Sequence, residues 1–286
     1  VSASVDPRGP GELRVLGPDD VDEVLALLAR DPVVNVVADY RTRLTRLQPR
    51  WLGGEMWGHA EDGALTSVCH AAANLIPAMA SEEAAHQFAR RAVERGRRCS
   101  TLLGPTDAVE TMWQVLSRSW PTPRDIRRGQ HHLEIRDAPA VDPDPAVRRS
   151  THAELDLVYP ASVAMYTEEV GVSPEAGGGA AAYRTRVTQL ISKGWSFVRV
   201  EDGRVVFKAE VAAATPYACQ LQDVYVVPDR RGEGLATAGL AAVVEVALRE
   251  IAPVVSLYVN DWNHAARAAY DRIGFTRTAT FTTILF

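Results

Sequence analysis

From Leu240 onward the apolar residues Leu240, Val243, Val244, Ala247, Leu248 and Ile251 recur at helical spacing, a continuous stripe that predicts one long helix. Ahead of it, "SFVRVEDGRVVFKAEVAA" alternates around Asp202-Gly203, the signature of two strands joined by a tight hairpin. "ACQLQDVYVV" and "VVSLYV" read as further strands, and "TRTATFTTILF" as a closing one. "NHAARAAYDRI" reads as a helix stopped by Gly274. Upstream, "VRRS" predicts a short opening strand and Ala153–Tyr166 a helix that Pro160 should kink or split. Glu168–Ala181 then reads as a loop, and "AYRTRVTQLISKG" as a helix capped at Gly194. The order is β-α-α-β-β-β-α-β-α-β, an α/β architecture with a mixed sheet flanked by helices.

The first half follows the same outline. "LRVL", a helix over Val21–Ala29 and the hairpin-like "MWGHAEDGALTSVCHAAANLI" come first. A helix over Glu82–Arg95, the strand "STLLG", a helix over Ala108–Arg118 and the strand "HHLEIRD" complete it. The likeness lies in element order, which suggests a divergent internal duplication. "DAPAVDPDPAV" holds three prolines and three aspartates and divides the halves. The expected organisation is a tail over 1–11, a domain over 12–137, a linker over 138–147 and a domain over 148–286.

Composition narrows the classes. The 286 residues are enough for two cores. A net charge of −5 argues against a nucleic-acid surface. Cys69, Cys99 and Cys219 are too widely spaced for a disulfide framework or a CxxC site. His131 and His132 are neighbours on a predicted strand, point to opposite faces and do not make a metal pair. With no signal-peptide pattern or membrane-length apolar run, the expectation is a cytoplasmic protein, monomer or homodimer, with no metal and no membrane or nucleic-acid partner.

The candidate chemistry sits in the turn before the striped helix, Arg231-Gly232-Glu233-Gly234-Leu235-Ala236. Two glycines at a strand-to-helix turn let backbone amides approach an anion. A Walker loop is excluded, because no Gly-Lys-Ser/Thr follows. A dinucleotide fold is disfavoured: Thr237 stands at the third glycine position, and only one strand–helix–strand remains. A purely structural tight turn is the remaining alternative for the motif taken alone.

About 25 residues on stands "NHAARAAYDRIGF", with Asn263, Ala266, Tyr270, Gly274 and Phe275. With both motifs in this order, Ala146–Phe286 resembles the GCN5-related N-acetyltransferase (GNAT) superfamily. The acyl-coenzyme A loop there is Arg/Gln-x-x-Gly-x-Gly/Ala, and a helix with Asn-x-x-Ala-x-x-x-Tyr-x-x-x-Gly-Phe follows. The two-part layout resembles tandem acetyltransferases of actinobacteria with a degenerate first domain.

The resemblance implies acetyl transfer from acetyl-CoA to an amine by direct attack in a ternary complex. Arg231–Ala236 would hold the pyrophosphate, with Glu233 a departure that repels phosphate unless it points outward. Backbone amides of Tyr225, Val226 and Val227 would face the thioester, and Asn260 and Asn263 would contact the cofactor. Asn263 is also a plausible helix cap in its own right. Tyr270 would protonate the leaving thiolate. Asp223 and Glu210 are both candidate bases, and Gln222 stands where some relatives have glutamate. Glu168 and Glu169 would shape the acceptor pocket, two acids suited to a cationic amine. The acceptor stays open: a small amine, an aminoglycoside-like or thiol-precursor metabolite, or a protein amine. A non-catalytic acyl-CoA sensor or scaffold is the alternative. In the first half, Ser81-Glu82-Glu83 replaces the glycine turn with a cap and two acids, which would repel a pyrophosphate.

Overall fold

The computed structural model describes residues 11–286, so the expected tail lies, save for Gly11, outside the described residues. The chain begins β1 (Glu12–Leu16), α1 (Val21–Leu28), α2 (Val36–Thr45), α3 (Pro49–Leu52), β2 (Glu55–Glu61), β3 (Ala64–Ala71), β4 (Asn74–Ala78). It continues α4 (Glu82–Arg95), β5 (Thr101–Pro105), α5 (Thr106–Leu116), β6 (Asp125–Ile135), β7 (Arg148–Arg149), α6 (Leu155–Val170), α7 (Ala180–Ser192). It ends β8 (Ser196–Glu201), β9 (Arg204–Ala214), β10 (Cys219–Val226), α8 (Leu235–Glu250), β11 (Val255–Val259), α9 (His264–Ile273), β12 (Thr276–Leu285). Both hairpins turn on Asp-Gly with positive φ at each residue, 51° and 79° at Asp62-Gly63 and 49° and 73° at Asp202-Gly203.

Two compact units divide the chain: residues up to His132 together with Ala279–Phe286, and Leu133–Thr278. The sequence reading divides it at 138–147. The difference arises because β12 leaves the second half of the chain and pairs antiparallel with β5, Ile284 opposite Leu102. Strand order in the N-terminal unit is β1-β2-β3-β4-β5-β12-β6, with β4 and β5 parallel. Helices α4 and α5 pack Phe88, Val109, Met112 and Leu116 on one face, together with Ile284. Helix α1 and Ala38 of α2 cover Met56, Leu65 and Val68 on the other.

The C-terminal unit repeats this plan. β7, β8, β9 and β10 are antiparallel neighbours, and β10 and β11 run parallel. Alternation on β9 sends Phe207, Ala209 and Val211 into the core under α8 and α9. Burying each large apolar side chain there contributes about 1.5–3 kcal/mol. Helices α6 and α7 lie over the opposite face, where Val158, Tyr183 and Val187 pack on Val198 and Val205.

Three local expectations change. Helix α6 is not split at Pro160 and runs on as one element, with Val158, Ser162 and Met165 buried on both sides of the missing donor. Glu168 and Glu169 belong to its last turn and not to a loop. The Pro/Asp segment forms no helix or strand, yet it is tied to the C-terminal unit by Ala140 N–H to Ile273 O (2.9 Å) and Asp144 N–H to Ala238 O (3.0 Å).

Candidate active site of the C-terminal unit

The glycine turn has the backbone it was expected to need. Gly232 and Gly234 have φ of 85° and 84°, a region that side chains disfavour, and nothing lies within 4 Å of where a Cβ would stand at either. Gly234 is the N-cap of α8 and offers no side chain to its first amides. Those amides have no carbonyl within the helix to bond, so they and the helix dipole face outward. Leu235 is buried in the core and anchors the start of the helix.

Charges flank the turn in pairs. Glu233 accepts from Arg230 Nε at 2.7 Å, and Arg230 also reaches Glu201 at 2.5 Å, so Glu233 is neutralised by its neighbour. Arg231 donates through Nε to Val226 O (3.0 Å) and through Nη2 to Glu168 (2.7 Å), with its guanidinium over the Tyr225 ring at 5.7 Å. Arg231 and Glu168, expected at phosphate and acceptor respectively, are thus one ion pair linking the turn to the end of α6.

Beside the turn the sheet opens. β10 and β11 pair only at Cys219–Val255 and Gln220–Ser256, and the pairing does not continue toward Val226. On the other edge, Val227 N–H donates to Val206 O at 3.1 Å, so it is committed to β9. Alternation then turns Val226 N–H toward the β11 side, where the sheet offers no partner. Of the amides of Tyr225, Val226 and Val227, that of Val226 is the one left facing the parted edge.

The register of β10 on β9 shifts between Gln222 and Tyr225, and Asp223 within this bulge has φ of 57°. Bulges re-aim side chains, and aspartate tolerates the left-handed region better than most residues. Asp223 is brought to Glu210, so the two alternative bases of the sequence reading share one hydrogen-bonded cluster. Lys208 Nζ, fully buried, bonds Glu210 Oε1 at 2.7 Å. Gln222 Nε2 bridges Glu210 Oε2 (3.2 Å) and Asp223 Oδ2 (3.4 Å). Burial, then the Glu210 charge, pushes the Asp223 carboxyl up to about 7. Burial also works against ionised Glu210, but Lys208 and the hydrogen bond to Asp223 outweigh it and hold Glu210 below the ordinary glutamate range. Lys208 is a member of this cluster that the sequence reading does not name. Its signal is the i, i+2 spacing from Glu210, which puts both on one strand face.

Tyr270 is 7% exposed on α9, its ring 5.9 Å from Phe275. Burial, then the Glu169 charge, raises its phenol well above the usual range, so it keeps its proton. Asn260, at the end of β11, donates to Glu169 at 3.3 Å. Asn263 accepts from Ala266 N–H at 3.1 Å and is the N-cap of α9. The last turn of α6 therefore carries Glu168 to the glycine turn and Glu169 to the end of β11. In the N-terminal unit, Ser81 caps α4 through Ala84 N–H at 3.2 Å, with Glu82 and Glu83 in the first turn.

Here a short parallel strand pair parts beside a bulge, next to a left-handed glycine turn. Residues 180–275 match the Acetyltransferase (GNAT) family, and residues 54–158 match a domain of unknown function, DUF4081. Within the C-terminal unit, residues 180–275 are thus the part matched to the GNAT acetyltransferases, a family whose reaction is acetyl transfer and which generally uses acetyl-CoA. Among solved structures, a GNAT-family acetyltransferase from Colwellia psychrerythraea is 13% identical, with a TM-score of 0.58 over 96% of this chain and 99% of that one. A GCN5-related N-acetyltransferase from Sphaerobacter thermophilus is 16% identical, with a TM-score of 0.61 over 96% and 95%. A tandem GNAT protein from the clavulanic acid biosynthesis pathway is 14% identical, with a TM-score of 0.54 over 96% and 98%. No curated protein sequence matches the chain.

Proposed function

We propose that the C-terminal unit binds acetyl-CoA and transfers its acetyl group to a cationic amine. The observation that carries this reading is that the Asp223 bulge, the parting of β10 from β11 and the two left-handed glycines occur together at the end of β10. A pyrophosphate suits the turn, because the space beside Gly232 and Gly234 is open and the α8 amides face it. Arg231, Gly232, Glu233, Gly234, Leu235 and Ala236 would hold it through backbone, with Arg231 exchanging Glu168 for phosphate. Val226 N–H, Asn260 and Asn263 would line the path of the acyl arm. When bound, acetyl-CoA supplies an activated thioester.

Of the two candidate bases, Asp223 suits neutral pH. Its pKa lies near 7, whereas Glu210 is tied to Lys208 and is the weaker proton acceptor. Asp223 would take the proton of the incoming ammonium, and Gln222 would keep its carboxyl oriented. Tyr270 retains its phenolic proton, available to a departing thiolate. Glu168, Glu169 and Asp223 give the pocket its preference for a cation.

The test uses the full chain. Calorimetric titration with acetyl-CoA should show saturable binding. Release of free thiol should then be followed across polyamines, aminoglycosides, amino-sugar conjugates and lysine peptides. Thiol release with at least one amine supports the reading. Absence of both binding and turnover sinks it, and binding without turnover across the panel favours an acyl-CoA sensor.

A further inference from the structure

The N-terminal unit contains a cavity of about 340 Å³ at the C-terminal end of α4, the opposite end of that helix from Ser81. It therefore lies away from the place where this unit's counterpart of the glycine turn stands. A volume near 300 Å³ is at the small end of the range for metabolite pockets, enough for a one- or two-ring body. Trp57, Leu75 and Trp120 supply apolar walls, and Arg95 and Arg98 stand at its edge.

The polar groups of this cavity are out of balance. Glu55 is its one acidic lining residue, and it is fully engaged. It accepts from Trp57 Nε1 at 2.7 Å and pairs with Arg95 at 2.7 Å and Arg91 at 3.6 Å. The donors are in surplus. Arg98 has no hydrogen bond or ion pair among the described residues, and one carboxylate is shared between Arg91 and Arg95. Trp120 is 9% exposed, and its Nε1 has no hydrogen-bond partner among the described residues. A buried indole N–H left unpaired costs roughly 1–3 kcal/mol, a cost that an acceptor on a ligand would remove. The α4 C-terminus brings about half a negative charge, which the full charges of Arg95 and Arg98 exceed.

Donors without acceptors, beside flat apolar walls, select an acceptor-rich, flat and anionic molecule. We propose that this cavity binds a small carboxylate with a planar apolar body, the carboxylate shared by Arg98, Arg95 and the Trp120 N–H and the ring against Trp57 and Leu75. Arginine matches a carboxylate with two parallel N–H bonds, and tryptophan faces stack on planar groups. Cys99, also in the wall, is held as the neutral thiol because burial pushes it up to about 11, so it does not oppose an anion.

The test is calorimetric titration of the full chain with 1-naphthoate and with the neutral 1-naphthamide. Expected is one-to-one saturable binding of 1-naphthoate, with the amide about tenfold weaker or more, since bonds to charged groups are the stronger. Arg98→Ala, at an exposed position, should weaken 1-naphthoate by a similar factor, and Ala72→Phe, which puts a ring in place of a methyl group on the cavity lining, should abolish it. Saturating acetyl-CoA should leave the affinity unchanged. The proposal is overturned by any of four results: no saturable binding, equal affinity for the amide, no effect of Arg98→Ala, or competition by acetyl-CoA. Should Ala72→Phe fail to fold, Arg98→Ala and the amide decide.

Discussion

At Asp223, burial, a left-handed backbone and a neighbouring carboxylate act on one side chain. Its pKa of about 7 lies above the 3.8 of an unperturbed aspartate, so the folded state binds this proton more tightly than the unfolded chain. The stability this contributes is fully present below pH 3.8, falls as pH rises, and is lost above about 7. Asp223→Asn keeps the residue's tolerance of the left-handed region and removes the titration. Thermal melts should therefore show the variant gaining on the wild type between pH 4 and pH 8. The same change should lower kcat/KM by roughly 10²–10⁴ and erase its rise through pH 7, if Asp223 is the base. A variant with an unaltered pH–rate profile would remove Asp223 from the mechanism. Tyr270→Phe deletes a proton donor without emptying its place in the core. It should slow kcat by about 10² or more while acetyl-CoA affinity in calorimetry stays within about twofold, and a large loss of affinity instead would assign Tyr270 to binding.

Among the elements, β9 shows how a two-residue period sorts chemistry. Phe207, Ala209 and Val211 face the core while Lys208 and Glu210 face the site, so one strand carries both packing and an ion pair. Lys208→Met strands the Glu210 carboxylate and should cost about 3–5 kcal/mol in denaturant unfolding, whereas adding Glu210→Gln should restore most of it. A cost that persists in the double variant would show that packing, and not the charge pair, matters at Lys208. Strands, hairpins and the stripes of α4 and α8 were legible because their periodicity comes from burying one face. Helix α2 was not, since Asp39, Thr42 and Thr45 share its buried side with Val36 and Ala38, leaving no apolar stripe to read. Asp39 pairs with Arg43, and Thr42 and Thr45 bond carbonyls one turn back, so their burial depends on local bonds that hydropathy does not register.

For the molecule as a whole, the last strand matters most. Residues 279–286 complete the N-terminal unit, where Ile284 is fully buried and Phe286 packs against Trp113 and Trp120. Ile284→Ala should cost about 2–5 kcal/mol, and limited proteolysis should then cut first within residues 12–132, although the substitution lies near the far end of the chain. Early cleavage within 148–275 instead would contradict this assignment. Among the described residues no helix is long and apolar enough to cross a membrane.

What the sequence by itself determined is whatever rests on neighbours in the chain. The glycines that demand positive φ at 232 and 234, the Asp-Gly hairpins, the Ser81 and Asn263 caps and the element order are set by local sterics and periodicity. Only the tertiary structure decided which charges meet. Arg231 with Glu168, Asn260 with Glu169, and Lys208 and Glu210 with the bulged Asp223 are partnerships across elements, mostly far apart in sequence. The pairing of β12 with β5 and the cavity under Trp120 likewise depend on long-range packing, which no local pattern encodes.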